Sequence, residues 1–539
     1  MSRREFLKRT AFAMPVAALG STLSAPAKAA GLLTNLKYQA IVPEIYRPIP
    51  KPPVYTKAIV IGSGFGGAIS ALRLAKAGIQ TTVLERGSLW PTSPWRQTFS
   101  NEVCPDGRGY WQRTKVKEPN TLTYCFDYFN GVFDLTSCGT IDVWRAACVG
   151  GGSVVFTGCM IQPQQRYFDA IFNGLVDWKE MDATYYPRVR AMLNLSPMPA
   201  DVYNAGPFGH SRVWDQQAAK AGFSTTPTDS IFDWNIVRSE IKCGTRASAI
   251  VGESDLGNSN GAKFDLNQNY LKQAQATGNA TVYPCHEVSR ITYDGSRYVL
   301  DTLKYAPDGT VTDRYQLTSD YLFLAAGSFG SSQLMVGARD RGDLPHLNEY
   351  VGTGWGTNGD TRVVRSFNPL KGLTQGSPCA SMLHQPGALP TTLENWYTPG
   401  VSINLGMIGS LGMGFDQSNR GNFVYNPTTN KVELKWPASG NNDVIAMARE
   451  INNKIAHANN VVPGVPLIAP DVDGSYTAHP LGGLVLGKAT DAWGRLEGYP
   501  RLYAIDGSII PGTTGAVNPS LTISALAERN IEKIIATDF

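Results

Sequence analysis

The stretch Ala58-Ile-Val-Ile-Gly62-Ser-Gly64-Phe-Gly66-Gly67-Ala-Ile-Ser-Ala-Leu-Arg-Leu-Ala75, followed by Thr82-Val-Leu-Glu85, decides the fold. Four apolar residues enter a glycine turn, an apolar-periodic helix follows, and a second short strand ends in an acid. Each glycine has a task. Gly62 makes the tight turn, Gly64 lets backbone approach a pyrophosphate, and Gly67 lets the helix pack on the strand, with Gly66 in the same turn. The helix N-terminus adds free N–H groups and a positive dipole end. Glu85 stands 18 residues past Gly67, close to the usual place of a carboxylate that takes ribose hydroxyls. In a chain with 55 glycines among 539 residues the glycine pattern alone is weak, but both flanks fit as well. The nucleotide is open here between NAD and FAD.

At 539 residues the chain is long for one core, and two or more domains are expected. A hydrophobic content of 42% against 17% charge fits a globular protein. The net charge of +4 does not point to an anionic partner. Arg3, Arg4, Lys8, Arg9 and Lys28 against Glu5 carry all of it, and the rest of the chain sums to zero. No nucleic-acid patch is indicated. Those first 29 residues read as a leader: twin arginines, an apolar run from Ala11 to Leu19, and Ala27-Lys-Ala29 as cleavage site. The pattern predicts twin-arginine (Tat) export to the periplasm or outside the cell. No other apolar run reaches the ~20 residues that span a bilayer. Eight cysteines show no C-x-x-C pair and no spacing with histidine, so no metal is expected and most are read as small buried thiols.

Beyond the leader, residues 30 to 53 read as an irregular arm ending in a proline cluster. From Trp90 to Cys148 aromatic and turn residues show little period and suggest a wrap around a site. Gly150-Gly151-Gly152-Ser153 is a second glycine loop whose N–H groups can meet phosphate or ring acceptors. Strands and helices alternate again over Asn269 to Ile291, through Glu287-Val288. The run Tyr321-Leu-Phe-Leu-Ala-Ala-Gly327 is a second strand-to-helix turn, which argues against a simple NAD fold. Residues 346 to 460 read as a less regular, sheet-like cover, with strand-like runs at Val401 to Leu405 and Gly421 to Tyr425. The last stretch holds Ala478-His479-Pro480-Leu-Gly-Gly483, Asp506-Gly507, Asn518-Pro519 and a closing helix from Ser524.

With these residues in view the chain resembles the glucose-methanol-choline family of flavoprotein oxidoreductases, most nearly its sterol oxidases with non-covalent FAD. The markers are Gly62–Gly67, Val149-Gly-Gly-Gly-Ser153, Gly354-Trp-Gly-Thr-Asn-Gly359, His479-Pro-Leu-Gly-Gly483 with Gly487-Lys-Ala-Thr-Asp491, and Asn518-Pro519 before Ala527-Glu-Arg-Asn530. The resemblance implies an α/β fold: a discontinuous Rossmann-like FAD domain (54–89, 265–345, 495–539) and a substrate domain with a mixed sheet covered by helices (90–264, 346–494). It implies oxidation of a cholesterol-like 3β-hydroxysterol to the ketone, 5-ene to 4-ene isomerisation, and reoxidation of the flavin by oxygen to hydrogen peroxide. A monomer drawing sterol from lipid surfaces by transient membrane contact follows from it. The alternatives are a flavin dehydrogenase of another bulky alcohol with a non-oxygen acceptor, or a non-catalytic sterol- or membrane-binding flavoprotein.

The flavin takes the hydride, so the protein must hold the carbinol, position its hydroxyl and receive the proton. His479 suits the hydroxyl, since imidazole donates or accepts near neutral pH. Asn518 offers donor and acceptor to substrate oxygen and flavin edge. Isomerisation needs a carboxylate in a dry pocket. Matching the family's base to Thr391-Thr-Leu-Glu394-Asn-Trp-Tyr-Thr-Pro399 makes it Glu394, whereas other pairings place Gln385 or Leu389 there, and neither could act as a base. Phe156, Thr157 and Ala478 stand where the resembling sterol oxidases have Asn, Gly and Tyr.

Overall fold

The computed structural model describes residues 27–117, 123–369, 374–397, 406–464 and 475–539. Residues 1–26, which carry most of the leader, lie outside these, as do Thr398 and Val401 to Leu405.

The decisive stretch forms strand β1 (Tyr55–Ile61), a helix (Phe65–Lys76) and strand β2 (Thr81–Leu84). Ala58 to Ile61 are all buried, as expected of a strand covered on both faces. β1 lies between two parallel partners. On one side Ala58 to Ile61 register with Thr81 to Leu84, and on the other Tyr55 to Ile61 register with Thr318 to Leu324 of β3 (Val311–Leu324). Ala280–Tyr283 extends the sheet beyond β2. Leu502–Ala504 pairs with the end of β3, and an antiparallel meander of His286–Tyr293 and Tyr298–Tyr305 joins its first half. Seven strands result. This register has one consequence for function. The turns after β1 and β3 leave the same edge of the sheet side by side, where open α/β sheets bind ligands.

A second sheet of six antiparallel strands runs in the order Val462–Pro463, β4 (Asp360–Ser366), Ile408–Gly414, β5 (Thr391–Trp396), Ser381–Gln385, Thr225–Pro227. Alternation divides its faces. Leu393 packs with Val213 and Trp214 of helix Gly209–Lys220 and with Ile451 and Ile455 of helix Asn442–Asn459. Glu394 and Trp396 point the other way, toward the first sheet's ligand edge.

Two regions differ from their sequence reading. The arm contains a helix, Ala27–Ile41, and a short turn, Pro43–Tyr46. It docks through Tyr38, whose ring meets Phe129 at 4.5 Å and whose hydroxyl accepts from the Gly107 N–H at 2.8 Å. The prolines end this segment rather than define it. The stretch read as sheet-like also holds the 18-residue helix Asn442–Asn459, which buries Val444, Ala448, Ile451 and Ile455. That spacing is helical, although polar residues between dilute it. Of the cysteines, Cys148, Cys159, Cys285 and Cys379 are buried, Cys138 is half-buried, and Cys104, Cys125 and Cys243 are exposed. Among the described residues no helix is long and apolar enough to cross a membrane.

Candidate active site

A cavity of about 910 Å³ opens along the ligand edge, within the usual range for a ligand site. Its wall runs from Gly62, Gly64 and Gly66 past Glu85 and Val288 to Gly327, then to Asp506 and Gly507, and ends at His479, Asn518 and Pro519. Gly151 and Gly152 line it as well. Three helices begin on this wall, at Phe65, Gly327 and Ser520. Their first N–H groups give it the positive character that suits an anion.

Local sequence explains these positions. At Gly62 φ is +99°, and a Cβ would come within 2.2 Å of the Ala325 carbonyl oxygen. Only glycine lets the turns after β1 and β3 touch. Glu85 is held by Ser63, whose N–H and hydroxyl donate at 3.2 and 2.7 Å, and by the Gly87 N–H at 3.0 Å. Burial raises its pKa, and these donors oppose the rise.

Gly67 packs the helix on the turn, as its spacing predicts, and Gly150 and Ser153, assigned to the cofactor, lie outside the residues that line the cavity. Gly67 packs on Gly62, where a Cβ would come within 2.1 Å of its carbonyl oxygen. The Gly150 N–H donates to the Ser63 hydroxyl at 3.1 Å. The Ser153 hydroxyl donates to the Gly150 carbonyl and accepts from the Leu266 N–H. The glycine loop spends these groups on its own shape, which leaves Gly151 and Gly152 to face the cavity.

At the far end His479 Nδ1 lies 2.7 Å from Asp360 Oδ1, and the other Asp360 oxygen accepts from the Ala478 and His479 N–H groups and the Thr477 hydroxyl. Burial disfavours a charged ring, but the Asp360 charge and hydrogen bond, with Glu394 beyond, outweigh it and raise the His479 pKa above the ordinary value. Asp360 occupies Nδ1 and leaves Nε2 for the cavity. Sequence reading passed over Asp360, although it directly follows the Gly354–Gly359 motif and begins β4. Exchanging it for asparagine would set amide N–H groups against donors. We expect Asp360→Asn to lower oxidation about tenfold, short of the 10²–10⁴ typical of removing an acid–base group outright. The acid limb of the kcat profile should move to lower pH, because the His479 pKa falls with the lost anion.

Glu394 is fully buried beside this pair, directly behind the lining residues His479 and Asn518, and its polar neighbours are the His479 ring and the Asn518 amide. Burial pushes its pKa up to about 7, with His479 and the Asn518 amide pulling down and Asp360 adding to the rise. Phe156, Thr157 and Ala478 all line the cavity. So do Trp396 and Leu411 of the second sheet.

The N- and C-terminal family models described as GMC oxidoreductase match residues 58–339 and 432–527. The chain belongs to the GMC oxidoreductase family. It is an FAD-dependent oxidoreductase acting on alcohols. Cholesterol oxidases of Mycobacterium tuberculosis and Acinetobacter baumannii are 27% and 24% identical to it, over 87% and 89% of this chain and 89% and 94% of theirs. Among solved structures, a pyridoxine 4-oxidase from Mesorbium loti superposes with a TM-score of 0.58 at 14% identity, covering 89% of this chain and 99% of that one. A fungal aryl-alcohol oxidase gives 0.59 at 12%, covering 90% and 99%.

The cavity of this GMC oxidoreductase fits FAD. A Cβ on Gly327 would meet nothing within 4 Å, so backbone is bare to the ligand there. Asn518 Oδ1 and Ser520 Oγ are buried on the wall without partners in the protein. Gly62 to Gly66 and the helix starting at Phe65 would hold the pyrophosphate, and Glu85 the ribose. Gly66 offers a check. A Cβ there would come within 2.0 Å of the Ile505 carbonyl oxygen. Gly66→Ala should cost about 1–3 kcal/mol through overpacking and reduce flavin retained per chain, read by melting temperature and the flavin-to-protein absorbance ratio.

Proposed function

We propose that this chain oxidises a 3β-hydroxysterol to the 3-ketone and isomerises the 5-ene to the 4-ene. The observation that carries this reading is Glu394, a fully buried carboxylate beside His479 and the Asn518 amide whose pKa burial raises to about 7. Isomerisation adds to alcohol oxidation the need for a second proton carrier, and burying a carboxylate without such a use is costly. FAD supplies the hydride acceptor, and its reoxidation by oxygen gives hydrogen peroxide. The protein does the rest. Asn518 orients the substrate oxygen, and His479 receives the hydroxyl proton through Nε2 while Asp360 holds the ring. Glu394, which lies directly behind His479 and Asn518 of the cavity wall, then takes the proton from the carbon between ketone and double bond and returns it to the far alkene carbon. The names of the cholesterol oxidase relatives support this assignment.

A second reading, oxidation of another bulky alcohol, is favoured by Phe156, Thr157 and Ala478, which reshape the cavity wall where the resemblance is otherwise close. Anaerobic addition of cholesterol separates the two. Bleaching of the flavin with release of the 4-en-3-one, and peroxide under air, supports the sterol oxidase. A flavin that stays oxidised with cholesterol but bleaches with another bulky alcohol refutes it. Export by the twin-arginine leader is part of the proposal, and the compartment and mature N-terminus of the expressed chain test it.

A further inference from the structure

Behind the cavity wall three residues far apart in sequence converge. Cys159 follows the glycine-loop helix Gly152–Val155, Cys379 precedes the strand Ser381–Gln385, and Glu394 lies in β5. Their two sulfurs and a carboxylate oxygen lie within 4.8 Å of one another, and all three residues are buried. Tyr397 and Trp396 close the pocket around the sulfurs. Cys159 Sγ meets the Cys379 thiol, and lies 3.7 Å from the Cys379 carbonyl and 4.0 Å from the Thr228 hydroxyl. The carboxylate's polar neighbours are the Asn518 amide and His479. Two thiols and a buried carboxylate therefore meet at one point.

We propose that Cys159, Cys379 and Glu394 bind a thiophilic divalent cation of the zinc or cadmium class. In a tetrahedral site, with sulfur at about 2.3 Å and oxygen at about 2.0 Å from the metal, ligand atoms stand roughly 3.5–3.8 Å apart. A contraction of about 1 Å brings these three to that spacing. Two thiolates and a carboxylate select a soft or borderline ion over magnesium or calcium. On binding, two metal–sulfur bonds and one metal–oxygen bond replace the ion's bonds to water, two thiol protons and any proton on Glu394 pass to solvent, and no electrons move. The assembly keeps one negative charge, next to His479. Two neighbours of the site connect it to the cavity. Trp396 and Asp255 line that cavity, and Asp255 accepts from the Tyr397 hydroxyl at 3.5 Å.

An ion held here takes the Glu394 carboxylate away from proton transfer. Resting on the reading of Glu394 as the isomerisation base, the bound ion stops isomerisation and spares alcohol oxidation at His479. The effect expected is about 10², that of losing a positioned base.

The test is titration of the FAD-loaded protein with cadmium chloride, in a background where the exposed Cys104, Cys125 and Cys243 are serine. One tightly bound cadmium per chain, with thiolate-to-cadmium absorption that disappears in Cys159→Ser/Cys379→Ser, supports the site. Cadmium X-ray absorption on the unmutated protein, showing two sulfur neighbours, supports it without relying on variants. Cadmium bound through the two sulfurs with isomerisation unchanged keeps the site and removes Glu394 from the base role. No tight cadmium in the background protein, or none with sulfur neighbours, overturns the proposal.

Discussion

His479→Ala cuts steady-state alcohol oxidation by about 10² or more, the scale for removing a positioned acid–base group, while FAD stays bound. The local turn does not depend on the ring. The Ala478 and His479 N–H groups still donate to Asp360 Oδ2, and the Thr477 hydroxyl still bonds it. What is lost is the partner of Asp360 Oδ1, leaving a buried acceptor unsatisfied at a cost of about 1–3 kcal/mol. The variant should therefore melt somewhat lower yet keep its flavin spectrum. Its oxidation should also lose the acid limb that a histidine with a raised pKa produces. Stopped-flow bleaching of the flavin under anaerobic substrate reads the step directly. Unchanged turnover would take His479 out of the site.

Glu394→Gln lets the 5-en-3-one accumulate while the alcohol is consumed at nearly its former rate. Isomerisation falls by about 10²–10⁴, measured by chromatography of the steroid products. On the proposed reading of Glu394 as the isomerisation base, isomerisation by the unaltered enzyme should rise with pH through about 7, because burial raises the Glu394 pKa to that value and the base works only when charged. Stability moves the opposite way. The folded pKa lies above the ordinary 4.5, so between the two the folded state binds more protons and stability falls as pH rises. At about 1.4 kcal/mol per pH unit, the loss is on the order of 3 kcal/mol by pH 7 and above. Glu394→Gln should lack that pH-dependent loss, which denaturant unfolding at pH 5 and pH 8 compares. A variant that makes the 4-en-3-one at the normal rate shows that Glu394 is not the base.

Much of this architecture is legible in the sequence. β1, the Gly62 turn and the Gly327 turn are readable because an apolar run followed by glycine is a local instruction. His479 and Asn518 are named by motifs, Glu394 only by one of several pairings with the resembling family's base, and in the structure Glu394 stands next to the other two. The 442–459 helix escapes a sequence reading because Asn452, Asn453 and Lys454 interrupt its apolar stripe between Ile451 and Ile455 and read as loop. Gly150 and Ser153 are assigned to the cofactor because a motif marks a turn without saying which of its atoms the turn itself consumes. Asp360 carries no periodicity or spacing of its own, and only its four hydrogen bonds to residues 477–479 reveal its part.

By itself the sequence determined the strand, turn and helix order, the glycines that let backbones touch, and the residue types able to move a proton. These follow from steric and hydrogen-bonding preferences that act over a few neighbouring residues. Only the tertiary structure decided that Glu394 is dry, that Asp360 holds His479, and that Cys159 and Cys379 lie against the same carboxylate. Burial and charge proximity depend on which distant segments the sheets bring together, and no local pattern encodes them.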